Sequence, residues 1–329
     1  MATRRTFIGG SLATGATGLH AGAKAQTAAG GFPDRPVRIV VPYAAGGPSD
    51  VVTRMVAEGM SSFLGRPVIV ENKAGANGRI GMEYVARQPG DGYTLVMFSQ
   101  GGSVLNTAGR ENLSYDLLRD FRAVGNMALL PQLVVTSNSI PPKTLQEFVA
   151  HAKANPGKLS YGSSGVGGTP HLIGEWFKII AGIEMTHVPY RGTGPATTDL
   201  IAGRIHFLFT EVPVLIEHVR EAKIRALAVS TQERSPLLPD VLTVAESGFP
   251  QLTGTNWFGL EVPSATPDEV VKVLNDALVK SLERPATRDA LIALGAYPDP
   301  APAERFDRFV RDELARWRDV MKTTGARLD

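Results

Sequence analysis

Apolar positions along the chain follow two alternating rhythms. Val37-Arg38-Ile39-Val40-Val41 is a short β-rich run stopped by Pro42. Beyond a glycine-rich turn, Val52, Met55, Val56, Met60, Phe63 and Leu64 recur at helical spacing, so one stripe of that helix faces a core. Val68-Ile69-Val70 predicts a second strand, and Met82, Val85 and Ala86 a helix closed by Pro89-Gly90-Asp91-Gly92. Thr94-Leu95-Val96-Met97-Phe98 predicts a third strand. Runs that are apolar on both faces, separated by amphipathic helices, predict parallel strands covered on both sides.

The middle of the chain repeats this pattern. Strands are expected at 133–136, 159–161, 185–188, 205–209 and 224–229, with helices near 144–154, 170–181, 195–203 and 212–222. Thr144 with Glu147 three residues on reads as a capping box. After Pro263 nothing reads as a strand. Helices are expected at 267–284, 286–294 and 303–324, the last carrying Phe306, Phe309, Val310, Leu314 and Trp317 on one face. These helices have no sheet of their own, so they are expected to pack on the first lobe. The pattern predicts an α/β chain of two lobes, each a mostly parallel sheet flanked by helices, with a cleft between them. Lobe I comprises 26–123 plus 250–329 and lobe II comprises 124–249, which requires two crossings, near 124 and 250.

Residues 1–25 break the rhythm. Arg4 and Arg5, a mild apolar stretch to Leu19 and Ala21-Gly22-Ala23-Lys24-Ala25 read as a secretory signal peptide, with cleavage expected after Ala25. Thr3-Arg4-Arg5-Thr6-Phe7-Ile8 resembles a twin-arginine export signal; an ordinary secretory signal with two adjacent arginines is the alternative. Residues 27–31 read as a loose linker. No second apolar run reaches the roughly 18 residues a membrane span needs. The mature chain is therefore expected to be a soluble exported protein.

The chain has 329 residues and no cysteine, which excludes disulfides, thiolate metal sites and cysteine nucleophiles. Arg4, Arg5 and Lys24 precede any acidic residue, so from residue 26 onward 31 basic side chains face 32 acidic ones. That balance offers no argument for nucleic acid or an anionic membrane surface.

Ligands of open α/β sheets gather at the carboxyl ends of strands, where loops lead into helices. Three such loops stand out. The first, 42–50, contains Tyr43, Gly46, Gly47, Ser49 and Asp50. The second, 162–171, carries Ser163, Ser164, Gly165, Thr169 and His171. The third, 189–195, holds Tyr190, Arg191 and Thr193. Ser99 after the third strand and Glu211 after Phe209 are further candidates. Glycine lets backbone approach a ligand, and free N–H groups at a helix start attract an anion. Each residue also has a plain reading: Ser49 or Asp50 capping a helix, His171 buried and hydrogen-bonded, Tyr43 and Tyr190 as core aromatics, Arg191 as a solvated charge.

Enzyme signatures fail. Val166 stands where G-x-S-x-G needs its last glycine, and Pro170 where a dinucleotide fingerprint needs its third. No P-loop or H-E-x-x-H occurs, and the six histidines show no metal-ligand pairing. No cofactor, metal or catalytic residue is expected. An exported serine hydrolase using Ser164 and His171, with Asp50 as a third member, remains the minor alternative.

Taken in order, several blocks resemble one family. They include 36–42 with Gly46-Gly47-Pro48-Ser49-Asp50, Gly65-Arg66-Pro67-Val68-Ile69-Val70-Glu71-Asn72, and Tyr161-Gly162-Ser163-Ser164-Gly165-Val166-Gly167 with His171-Leu172. His187-Val188-Pro189-Tyr190-Arg191-Gly192 and Trp257-Phe258-Gly259-Leu260 continue the match. The chain is similar to the solute-binding proteins of tripartite tricarboxylate transporters, the Bug receptors. The resemblance implies a two-lobed, type II-like periplasmic binding protein. Such a protein closes on a small carboxylate and passes it to a permease of one large and one small subunit; from Glu211, an amino-acid-like ligand is also expected as an alternative. The resemblance implies that the carboxylate is held by amides and ordered waters of the first loop and hydroxyls of the second; separately, a monomer is expected. The same fold serving a membrane sensor kinase is the alternative. Glu211 departs from the smaller or amidated residue often found near this position. If it faces the ligand, a nitrogen-bearing acid is favoured over a plain dicarboxylate. Otherwise it points to solvent or caps the helix at 212–222.

Overall fold

The computed structural model describes residues 31–325 except 111 and 191. The expected signal peptide lies outside the described residues, as does Arg191 of the third loop. Strand β1 (Val37–Val41) leads through a glycine-rich turn into α1 (Pro48–Leu64). Then come β2 (Val68–Asn72), α2 (Arg79–Ala86) and β3 (Thr94–Ser99), followed by a π-helical turn at Gln100–Leu105 and α3 (Asn106–Gly109). The central elements are β4 (Phe121–Ser137), α4 (Leu145–Ala154), β5 (Leu159–Ser163), α5 (Thr169–Ala181), β6 (Met185–Pro189) and α6 (Thr193–Ile201). They continue with β7 (Phe207–Glu211), α7 (Val212–Arg220) and β8 (Ile224–Val229). The chain closes with β9 (Thr255–Pro263), α8 (Asp268–Glu283), α9 (Pro285–Ala293), β10 (Tyr297–Pro298) and α10 (Ala303–Thr324).

The strands run in the order β2-β1-β3-β9-β4-β7-β5-β6, with β8 and β10 also pairing to β4. Pairs β1–β2, β1–β3, β5–β6 and β5–β7 are parallel. Every pairing made by β4 or β9 is antiparallel, so the sheet as a whole is mixed. Alternation along β1 and β3 serves two faces. Ile39, Leu95 and Met97 join the core under α1, α8 and α9, whereas Val40, Val96 and Phe98 join the opposite core, which includes Trp257 and Trp317. A sheet covered on both faces explains why these strands lack a polar side.

Three expectations change. The strand expected at 133–136 is the end of the 17-residue β4, the longest strand. Its first part was masked because register shifts at Ala123/Gly125 and Asn126/Ala128 interrupt the period of two, and Pro131 donates no hydrogen bond. β4 pairs with β9 as far as Pro131 and with β7 from Gln132, so that proline marks the change of partner. A strand also occurs after Pro263, but β10 is two residues long and too short to produce a pattern. At α4 the Thr144 hydroxyl accepts the Glu147 N–H at 3.1 Å, as a cap should. The Glu147 carboxylate reaches the Lys143 N–H at 2.7 Å instead of that of Thr144.

The C-terminal helix packs on β4 and α3 and also reaches α5. It brings the buried Glu313 into the core, where one carboxylate oxygen accepts from Gln100 Nε2 (2.8 Å), Trp317 Nε1 (3.2 Å) and Trp257 Nε1 (3.3 Å). Gln100 belongs to the turn that follows Ser99, so this carboxylate steadies a loop of the site. No helix among the described residues is long and apolar enough to cross a membrane. Glu313→Ala would strand three donors, and a loss of about 3 kcal/mol in urea unfolding is expected. Removing the exposed Arg288–Asp289 pair should change stability by less than about 0.5 kcal/mol.

Candidate functional site

The carboxyl ends of β1, β3, β5, β6 and β7 open onto one cavity of about 540 Å³. Four helices start at its wall: α1 after Gly47, α5 after Gly168, α6 after Gly192 and α7 after Glu211. None of the four has a side-chain hydrogen bond capping its first turn, in contrast to α4 with Thr144. The first N–H groups of a helix have no partner within it, and the peptide dipoles add a partial positive charge there. The starts of α1, α5 and α6 favour an anion without any cationic side chain, although Pro48 and Pro170 each remove one donor; the α7 start already carries the Glu211 carboxylate.

Asp50 fixes the first loop. Its buried carboxylate accepts from the Gly46 N–H (2.9 Å), Asn72 Nδ2 (2.9 Å) and Arg54 Nε (3.0 Å). Burial pushes its pKa up, but these hydrogen bonds outweigh that and hold it near about 2. Asn72 also donates to the Tyr43 carbonyl at 3.1 Å. Asp50 therefore sits behind the loop, and neither it nor Ser49 caps α1 by a side-chain bond. The Tyr43 hydroxyl meets Ser99 Oγ at 2.8 Å, and Ser99 Oγ accepts the Gly102 N–H at 3.1 Å. A Cβ at Gly102 would lie 2.4 Å from the Tyr43 hydroxyl, so only glycine admits this ring. Burial raises the Tyr43 phenol to about 12, which keeps its proton in place at neutral pH.

The second loop is braced by histidines. Ser163 is buried; its Oγ lies 2.7 Å from His187 Nε2 and accepts the Gly165 N–H at 3.2 Å. His171 Nδ1 accepts the Gly167 N–H at 3.1 Å, and its ring stacks on His187 at 4.1 Å between centroids. Burial, then the neighbouring His171, lowers His187 to about 4. In the third loop Gly192 has φ +111°, open to glycine but strained for other residues, while the Tyr190 hydroxyl donates to Asp199 at 2.8 Å.

Of the expected site residues, the structure brings Tyr43, Gly46, Gly47, Ser49, Ser99, Ser164, Thr169, Thr193 and Glu211 to the cavity wall. Asp50, Ser163, Gly165, His171 and Tyr190 stand outside the lining and support the loops instead. Glu211 faces the cavity, with its carboxylate held by Asn256 Nδ2 (2.8 Å) and the Thr210 hydroxyl (2.6 Å). Sequence reasoning missed Asn77, Asn256 and Phe258. Asn77 had a signal in the Asn-Gly step it begins, and its φ is +51°. Asn256 is a polar residue just ahead of an apolar run, and only long-range pairing shows where it lies. A larger groove of about 760 Å³ lies among α8, α10 and the start of β4. It is lined by surface charges such as Arg122, Lys272 and Asp307 and receives none of these loops.

A mixed α/β sheet whose strand-end loops gather over one cavity is the two-lobed fold of periplasmic binding proteins such as BugD, to which this chain is similar. The chain belongs to the tripartite tricarboxylate transporter family receptors, whose family model matches residues 52–326. It is 33% identical to protein BugT of Bordetella pertussis over 309 residues, covering 94% of this chain and 95% of that one. Among solved structures, it is similar to an R. palustris protein with adipate (TM-score 0.82, 35% identity, 90% of this chain and 100% of that one). It is also similar to MatC from Rhodopseudomonas palustris with bound malate (TM-score 0.78, 32% identity, 88% and 99%).

The histidine brace sets a pH dependence. With His187 at about 4 in the folded chain and 6.5 as its ordinary value, the unfolded state binds the extra proton between these pH values. Stability should therefore fall as pH drops from 6.5 through 4 and level off below, by about 1–2 kcal/mol after allowing for the ring's partial exposure. Thermal unfolding across this range should show the slope in the wild type and a shallower one in His187→Gln.

Proposed function

We propose that the protein is an extracytoplasmic receptor that captures a small carboxylate and delivers it to a tripartite membrane permease of one large and one small subunit. The observation that carries this reading is the meeting of the α1, α5 and α6 starts, none capped by a side chain, around one cavity. Relatives solved with adipate and malate support the ligand class, and the family supports the permease. One helix start contributes about 0.3–1 kcal/mol when exposed and up to about 2 when partly buried, so several acting together suit a carboxylate. The Tyr43 and Ser99 hydroxyls and the α1 start act from lobe I, and Ser164, Thr169 and Thr193 act from lobe II.

In this reading the described residues 32–131 and 255–325 move as one body, because 124–131 stay paired with β9 and β10, and 132–230 move as the other. Two connections would flex. One is the step from Pro131 to Gln132, where β4 changes partner. The other runs from Ser230, whose N–H and Oγ bond the Gln132 backbone, to Gly254, whose N–H bonds the Ser230 carbonyl. Ligand contacts from both lobes would favour the closed arrangement. A hydrolytic role is less well supported. His171 Nδ1 is taken by a backbone N–H, and the serine nearest an imidazole in the second loop, Ser163, is buried away from the cavity.

The test is calorimetry and thermal shift with adipate, malate and related acids on the full-length mature protein. A bound acid should be recovered unchanged after denaturation. Replacing Ser164 and Thr169 together with alanine should weaken the best acid at least tenfold while the melting temperature moves by no more than a few degrees. Unchanged affinity would remove the second loop from the contact.

A further inference from the structure

Glu211 sets the polarity of the cavity. It is the last residue of β7 and the one from which α7 starts, and it shares the wall with Tyr43, Asn256 and Phe258. Among the described lining residues it is the only charged side chain. Its two oxygens are held by neutral donors, one by Asn256 Nδ2 at 2.8 Å and the other by the Thr210 hydroxyl at 2.6 Å. A carboxylate oxygen has two acceptor positions, so each keeps one for a further donor. The two anchors leave the side chain little freedom to swing away.

These features create opposed demands within one cavity. The uncapped starts of α1, α5 and α6 favour a negative group, and Glu211 repels one. A plain dicarboxylate satisfies the first demand and violates the second. A metal ion between ligand and Glu211 would also resolve the conflict, but Glu211 is the only His, Cys, Asp or Glu side chain on the described wall and would have no charged co-ligand from the protein. The compensating charge is then best carried by the ligand itself.

We propose that the ligand is an acid bearing a protonated nitrogen, an amino or guanidino acid. Its carboxylate lies toward the helix starts and its nitrogen donates to Glu211. This deepens the carboxylate-receptor reading and rests on it. Glu211 is thus a specificity-determining residue: it selects a zwitterion over the same acid lacking nitrogen.

The test is isothermal titration calorimetry with matched pairs: L-aspartate and succinate, L-glutamate and glutarate, 6-aminohexanoate and hexanoate. At least one nitrogen-bearing acid should bind the wild type ten times or more tightly than its partner. In Glu211→Gln that ratio should fall to about one or invert. Wild-type protein that binds a nitrogen-free acid as well as or better than its matched partner overturns the proposal and leaves the carboxylate receptor standing. A preference for the amino acid that survives Glu211→Gln overturns the role of Glu211. Folded protein that binds no acid of either kind overturns the carboxylate reading, and this proposal falls with it. Should the glutamine variant lose its fold, the wild-type ratios decide alone.

Discussion

A helix that begins at a cavity wall leaves its first N–H groups without partners, and water or a ligand must satisfy them. Here four helices begin at one wall, and the chain spends no side chain on capping any of them. Most of the surrounding structure maintains that arrangement. Asp50 spends its carboxylate on holding the Gly46 turn and not on the cavity. The histidine stack keeps the second loop in place, and Glu313 does the same for the turn after Ser99. The polar groups that look functional in sequence thus divide into those that meet the cavity and those that hold the former still.

The architecture follows from the same need. Parallel strands joined by helices put their carboxyl ends, and so the helix starts, on one side of a sheet. Two such groups of strands can face a common cavity only if the chain passes between them, and β4 supplies the passage by changing partner at Pro131. A proline lacks the N–H that would commit this position to either neighbour.

Much of this was legible in the sequence. The strands and helices with an unbroken period, such as β1, β3, α1 and α10, announce themselves because each buries a continuous face. The loops at 42–50, 162–171 and 189–195 were visible as glycine-rich turns between a strand and a helix. The first part of β4 was not, because its bulges and Pro131 erase the period of two over the residues that link the strand groups. Nor could sequence separate Ser164 from Ser163, or Thr169 from His171. Neighbours in a loop point in different directions, and only the fold decides which way is inward. Asn256 and Phe258 were hidden for a related reason: they reach the cavity from the opening residues of an antiparallel strand, the end at which no ligand loop is expected.

In the proposed reading part of the pull on the ligand comes from main chain, and this bears on how such a receptor changes over generations. Substitution alters side chains freely but removes an amide hydrogen only where proline enters, as Pro48, Pro170 and Pro213 already do in three of the first turns. Wall positions with no assigned contact, such as Ala44 and Ala45, can therefore drift in size and shape while the pull of the helix starts persists. A lineage built this way can exchange one nutrient for another by remodelling the walls, without passing through a form that captures nothing.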